Sequence, residues 1–268
     1  MVWRLRLLEI SRMVVTKKEL GQHWLHDRTA LGAIAESAEL AKNDTVLEIG
    51  PGLGTLTSVL AKQAQKVIAV EFDEALARDL PKRAQAGNIT VVHQDILAYD
   101  LTKLPVGYKV VANVPYYITS KIVRLLLESA NPPSRVVLLV QKEVAERLAA
   151  APGEMSMLAV SAQFYADVSL GTIIPAELFT PPPKVDSQVV ILDYKGPQFA
   201  DVPVDSFFTL VRAGFSERRK KLRSSLAGGL RLPKAEADAL LERAGIPADA
   251  RAQELSLEQW HLLASAYN

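Results

Sequence analysis

The chain contains no cysteine. Disulfides and thiolate metal sites are therefore excluded, and a reducing cytoplasm is the compartment expected for it. Histidine is scarce: the four, at positions 23, 26, 93 and 261, fall into no zinc-binding spacing, so no metal is expected. No apolar run approaches the roughly 18–20 residues that would span a bilayer, and no membrane partner is expected. The opening MVWRLRLLEISR interleaves apolar and charged positions, unlike the uninterrupted apolar core of a secretory signal. Residues 1–15 are read as a poorly ordered N-terminal extension, with Met13 an alternative start. An excess of one charge is also missing. The formal net charge is +1, so the molecule as a whole is not a polycation.

What is present is 268 residues, 49% hydrophobic and 23% charged, enough for one large domain with a smaller appendage. The charge is unevenly spread. Residues 218–223 read RRKKLR, with Arg212 and Arg231 nearby and Glu217 opposing. A charge run is commonly a solvated face. Here its density and single sign favour a surface that contacts phosphates.

The first two-thirds of the chain alternate strand and helix patterns. TVLEIG (45–50), KVIAVE (66–71), ITVVHQD (89–95), KVVAN (109–113) and RVVLLVQ (135–141) read as strands. Helical spacing lies between them at 55–64, 74–86 and 120–129. Continuous Val, Ile and Leu strands separated by helices predict an α/β domain, a doubly wound, Rossmann-like parallel sheet covered on both faces, over residues 16–195. MLAVSAQFYADVSL (157–170) and DSQVVILDY (186–194) are read as two further strands, and ELFTPPPKV (177–185) as irregular. After a linker at 195–203, residues 204–268 form a small all-helical domain, with helices through Ala213 and across 217–227, 234–244 and 256–266.

The first strand runs into EIGPGLGTLT (48–57), a glycine turn that opens a helix, where a backbone can approach a ligand closely. The second strand ends in Glu71, at a distance where an acidic side chain accepts from the ribose hydroxyls of a nucleoside. A dinucleotide fingerprint would place a small residue at Thr55, so the match to G-x-G-x-x-G is imperfect. An acidic Glu48 beside the turn disfavours a pyrophosphate and tolerates a cation, which fits S-adenosylmethionine. Asp95, ending the third strand, is placed to accept from the cofactor's adenine amine; a helix N-cap is its competing assignment.

The fourth strand ends in NVPYYITS (113–120), so Asn113 faces the crevice at the carboxyl ends of the sheet. N-(I/L/V)-P-(Y/F) after these cofactor motifs resembles the signature of methyltransferases that act on exocyclic amines of nucleobases. KKELGQHWL (17–25), FTPPPKVDS (179–187) and FSERRKKLRSSL (215–226) narrow the match. In order and spacing, over residues 16 to 265, they resemble the small-subunit ribosomal RNA adenine dimethyltransferases, whose sheet is of the class I methyltransferase type. The family's Asn-Phe is His23-Trp24 here, which puts the contribution of His23 in question while Trp24 keeps an aromatic wall.

The resemblance implies cofactor contacts from His23, Leu25, Gly50, Gly52, Glu71, Asp95, Ile96 and Asn113. It implies catalytic roles for Asn113 and Pro115, with Tyr116 and Phe179 stacking on the target base from opposite sides, while Tyr117 is assigned to packing. Arg218, Arg219, Lys220, Lys221 and Arg223 are the expected RNA-binding side chains. The implied activity is dimethylation of the N6 amines of two adjacent adenosines near the 3′ end of small-subunit rRNA, by a monomer acting on a pre-ribosomal particle during ribosome biogenesis. Three other readings compete: a large-subunit rRNA adenine methyltransferase of the macrolide-resistance type, an assembly or transcription factor without turnover, and, more distantly, a nicotinamide oxidoreductase.

Overall fold

The computed structural model describes residues 22–217 and 219–267. The extension at 1–15, the first part of the KKELGQHWL motif and Arg218 lie outside the described residues. Short apolar runs bounded by turn residues form the buried strands β2 (Thr45–Ile49), β3 (Lys66–Glu71), β5 (Lys109–Asn113) and β6 (Arg135–Gln141) and the half-exposed β4 (Ile89–His93), following a two-residue β1 (Trp24–Leu25). Helices α1 (Arg28–Ser37), α2 (Thr55–Gln63), α3 (Glu74–Ala84) and α4 (Thr119–Leu127) connect them. Two carry side-chain caps: Asp27 accepts from the Ala30 amide at 2.9 Å, and Asp73 from Ala75 at 2.9 Å and Leu76 at 3.1 Å. Each such cap stabilises a helix start by roughly 1 kcal/mol.

The chain divides into two compact units, one up to Ala145 with Val168–Tyr194, the other Glu146–Asp167 with Lys195 onward. Residues 146–167, assigned to the first domain from sequence, thus group with the helical segment.

In the first unit the sheet order is β4-β3-β2-β5-β6-β9-β7, with β7 (Ala166–Ile174) and β9 (Ser187–Tyr194) at one edge. Pairs β2–β3, β3–β4, β2–β5 and β5–β6 are parallel, whereas β9 runs antiparallel to β6, with Leu138 opposite Val190. The five strands expected to be parallel are so, and β9 makes the whole sheet mixed. The reason is connectivity: the proline-rich stretch that joins β7 and β9 forms no crossover helix, so the chain turns back on itself. That stretch also forms β8 (Phe179–Thr180), antiparallel to β1, with Leu25 opposite Phe179. From β2 the chain winds out to β4 and then returns to β5 on the other side. The crevice opens where that order reverses, at the ends of β2 and β5.

In the second unit, the residues read as the start of a strand at 157 form helix α6 (Met157–Gln163), preceded by α5 (Lys142–Leu148), which begins in the first unit. Leu158 to Ala162 are all buried, so apolar periodicity cannot separate helix from strand there. Local hydrogen bonding decides it: Ser156 caps the Ala159 amide at 3.2 Å, and the Gln163 side chain reaches the Leu148 and Ala150 carbonyls at 2.9 Å. Helices α7 (Val204–Gly214), α8 (Leu222–Leu230), α9 (Lys234–Arg243) and α10 (Leu257–Tyr267) complete the unit. Its core holds Phe164, with ring centroids 4.5 Å from Phe207 and 5.1 Å from Phe208, and a fully buried Trp260 stacked on Phe215.

Helix α8 starts at Leu222, not at 217 as the periodicity implied. A helix N-terminus carries partial positive charge, so a run of Lys and Arg resists extending it backwards. Arg219, Lys220 and Lys221 are left exposed in the turn before it, while Arg223, inside the helix, pairs with Asp238 at 3.6 Å.

Candidate active site

The cavity at the carboxyl ends of β2, β3 and β5 encloses about 340 Å³. Most of the residues singled out from sequence line it: His23, Leu25, Gly50, Gly52, Glu71, Asp95, Ile96, Asn113, Pro115 and Tyr116.

The glycine turn forms its floor. Gly52 has φ +57°, and a Cβ there would collide with the ring of Trp24, which packs flat against the turn. Glycine is required at this position by conformation and by space. Thr55, the residue that spoils the dinucleotide fingerprint, donates its hydroxyl to the Leu25 carbonyl at 3.0 Å and ties β1 to the start of α2. Glu71 holds the other side of the turn, accepting from the Gly52 amide at 3.0 Å and the Asp73 amide at 2.9 Å. Burial pushes its carboxyl above the ordinary value, against the amides that favour the charged form.

Glu48 sits deeper, 1% exposed, with neither carboxyl oxygen hydrogen-bonded. Burial pushes it up to about 8; the nearby Glu71 adds to this, and Thr57 opposes it. Asp95 lines the cavity and also caps the short turn at 96–98 through the Leu97 amide at 2.9 Å. The two assignments weighed for it are compatible, since a carboxylate has a second oxygen.

At the far side, Asn113 ends β5 and its Nδ2 donates to the His23 carbonyl at 3.3 Å. That bond turns the amide so that Oδ1 remains as the acceptor. That bond uses the backbone of residue 23 and so does not depend on which side chain stands there. The His23 side chain does something else: Nδ1 lies 2.8 Å from the Pro181 carbonyl, and the ring stacks over Tyr116 at 5.9 Å and 22°. The Tyr116 hydroxyl is held by Ser187 Oγ at 2.8 Å.

Phe179 is not brought to the cavity. It is 3% exposed and packs in the core with Leu25, Leu31 and Val189, so the ring facing Tyr116 is His23. Sequence reasoning missed Phe72 and misjudged Tyr117. Both line the cavity while being 60% and 63% exposed, as rim aromatics and not as core. An apolar residue directly after the acidic strand end was the available signal for Phe72. For Tyr117, it was the proline two residues earlier, which brings the chain out of the sheet. No group of three or more His, Asp or Glu side chains among the described residues is arranged to hold a metal ion.

The residues present fit a ligand that is a nucleoside at one end and a cation at the other: a backbone-lined turn, a ribose-height carboxylate, and a buried acid without a partner. Together with the strand order, this crevice defines a methyltransferase sheet of the Rossmann-like class. Comparison with known proteins takes the assignment further. The model of the ribosomal RNA adenine dimethylase family matches residues 13–268. A ribosomal RNA small subunit methyltransferase A from Dehalococcoides mccartyi is 44% identical over 258 residues, covering 94% of this chain and 88% of the relative. One from Latilactobacillus sakei is 40% identical, covering 94% and 90%. Among solved structures, the 23S rRNA methyltransferase ErmE superposes with TM-score 0.72 at 31% identity, over 91% of this chain and 98% of its own. A dimethyladenosine transferase from Plasmodium falciparum gives 0.75 at 26% identity, over 89% and 95%. The chain belongs to the ribosomal RNA adenine dimethylase family.

Proposed function

We propose that the protein transfers methyl groups from S-adenosylmethionine to the N6 amines of two adjacent adenosines near the 3′ end of small-subunit rRNA. The observation that supports this most directly is the Asn113 amide, oriented by the His23 carbonyl so that its oxygen accepts at the end of the cavity. The amine of adenine is a poor nucleophile because its lone pair is delocalised into the ring. Asn113 Oδ1 and the Pro115 carbonyl accept its two hydrogens and turn the lone pair outward. Tyr116, anchored through Ser187, supplies the face on which the extruded base stacks. The bound cofactor supplies an electrophilic methyl on sulfur. As the N–C bond forms, the S–C bond breaks with its electron pair left on sulfur, and the extra proton on nitrogen leaves to solvent. Preorganised acceptors and proximity account for the acceleration without a strong general base. For the second transfer, the pocket accepts an amine that already carries one methyl.

Glu71 is assigned to the ribose hydroxyls and Asp95 to the adenine of the cofactor, with Gly50, Gly52, Leu25 and Ile96 as the walls around it. Arg219, Lys220 and Lys221, exposed before α8, are assigned to RNA phosphates within a pre-ribosomal particle. The similarity to the 23S enzyme favours large-subunit RNA as the second reading. Incubation with labelled S-adenosylmethionine and unmethylated small or large subunits, in parallel, separates them. Label is expected in the small-subunit RNA; label confined to the large-subunit RNA would replace this reading with the second.

A further inference from the structure

Two buried carboxyls face the cavity, and they are held differently. Glu71 accepts two backbone amides. Glu48, one strand over, has only Thr57 beside it, whose hydroxyl and amide favour its charged form, while no partner at ordinary hydrogen-bond geometry reaches either of its buried oxygens. Its sheet neighbours are Ala69 on one side and Val111 on the other, neither of them ionisable. Glu71 is the charged group acting on it, and it is of the same sign. An ionised carboxylate in such a place costs several kcal/mol unless an opposite charge accompanies it. Among the described residues no cation acts on it. The residue lines the cavity, so a ligand can supply one.

We propose that Glu48 is a proton-exchanging cation site: it carries a proton when no cation is bound, and gives that proton to solvent when a ligand's ammonium or sulfonium enters. The inference rests on the reading of the cavity as a site for S-adenosylmethionine. Its balance is simple. One O–H bond is lost, one proton appears in the buffer, and the carboxylate keeps the electron pair opposite the ligand's positive charge. The ligand's charge and the buried acid are then both satisfied, and neither state leaves a bare charge in the cavity.

The test is calorimetric titration at pH 7.0 in two buffers of different ionisation enthalpy, with S-adenosylmethionine and, separately, S-adenosylhomocysteine. With the free acid near 8, wild-type protein should release about 0.5–1 proton per ligand bound. Between pH 6 and 7.5 its affinity should rise with pH, by up to about tenfold per unit. Release with both ligands assigns the ammonium, which they share; release with S-adenosylmethionine alone assigns the sulfonium. Either supports the proposal. Glu48→Gln, neutral and the same shape, should bind with the proton release abolished and the pH slope flattened. His23, Asp95, Lys121 and the two tyrosines also line the cavity, and any proton they exchange would persist in that variant. Binding by the wild type without proton exchange would overturn the proposal, and so would release that is undiminished in Glu48→Gln. If Glu48→Gln fails to fold, Thr57→Val, which removes the hydroxyl that favours the charged acid, should move the pH dependence of the release upward, and an unmoved profile would overturn the proposal. No binding of either ligand would instead sink the cofactor reading, and this inference with it.

Discussion

The Asn113 side chain is anchored at one end and open at the other, so its two functions can be separated by substitution. Asn113→Ala removes the acceptor while leaving the glycine turn and Glu71 in place. Cofactor affinity should stay within a few-fold while methyl transfer falls by about two orders of magnitude or more. Binding calorimetry beside single-turnover transfer reads both; a collapse of binding would make Asn113 a cofactor residue first. Gly52→Ala places a methyl against Trp24 in a left-handed backbone conformation. It should cost about 1–3 kcal/mol in chemical denaturation, and Trp24→Ala in the same chain should recover part of that loss. Equal losses with and without Trp24 would show that backbone strain alone sets the cost. Glu48 carries a pH signature in the unliganded protein as well. Its folded value, about 8, lies above the unfolded value near 4.5. The unfolded chain therefore ionises first, and this group's contribution to stability falls by about 1.4 kcal/mol per pH unit between those values, levelling off above 8. Relative to wild type, Glu48→Gln should gain stability from pH 5 to pH 8. A constant difference across that range would contradict the assignment.

At the scale of elements, strand ends were the legible part of the sequence. A run such as KVVAN closes on a polar side chain after three apolar ones, where the sheet stops, so Asn113, Glu71 and Gly50 could be placed on one crevice from the sequence. Segments whose identity rests on local hydrogen bonds were not legible. Residues 158–162 are all buried, so their apolar pattern fits a strand as well as the helix that Ser156 caps. Phe179 has the same difficulty in reverse, since a motif position cannot report that its ring turns into the core with Leu25 and Leu31. The basic run shows how charge overrides periodicity. Lys220 and Lys221 stand in the turn ahead of Leu222 because the helix N-terminus disfavours them, and that leaves both exposed. Reversing both charges should weaken RNA binding and flatten its salt dependence from a log–log slope on the order of −3 to −5. Cofactor binding should not change. Unaltered RNA affinity in a filter-binding assay would return the run to an ordinary solvated face.

At the scale of the whole molecule, a sheet wound outward in both directions from β2 and β5 builds the crevice. The antiparallel strand β9, between β6 and the edge strand β7, brings Ser187 to the Tyr116 hydroxyl. The family and the mixed α/β architecture follow from the chain alone, because five motifs keep their order along it. Substrate choice does not follow in the same way. It depends on which RNA the exposed surfaces accept, and a 23S enzyme shares most of this fold. The most direct test is therefore to map the product: incubate the protein with S-adenosylmethionine and small subunits lacking the modification, then fragment the RNA and weigh its 3′ end by mass spectrometry. Two adjacent adenosines are expected there, each heavier by two methyl groups. An unmodified 3′ end, with methyl groups found elsewhere or in large-subunit RNA, would contradict it.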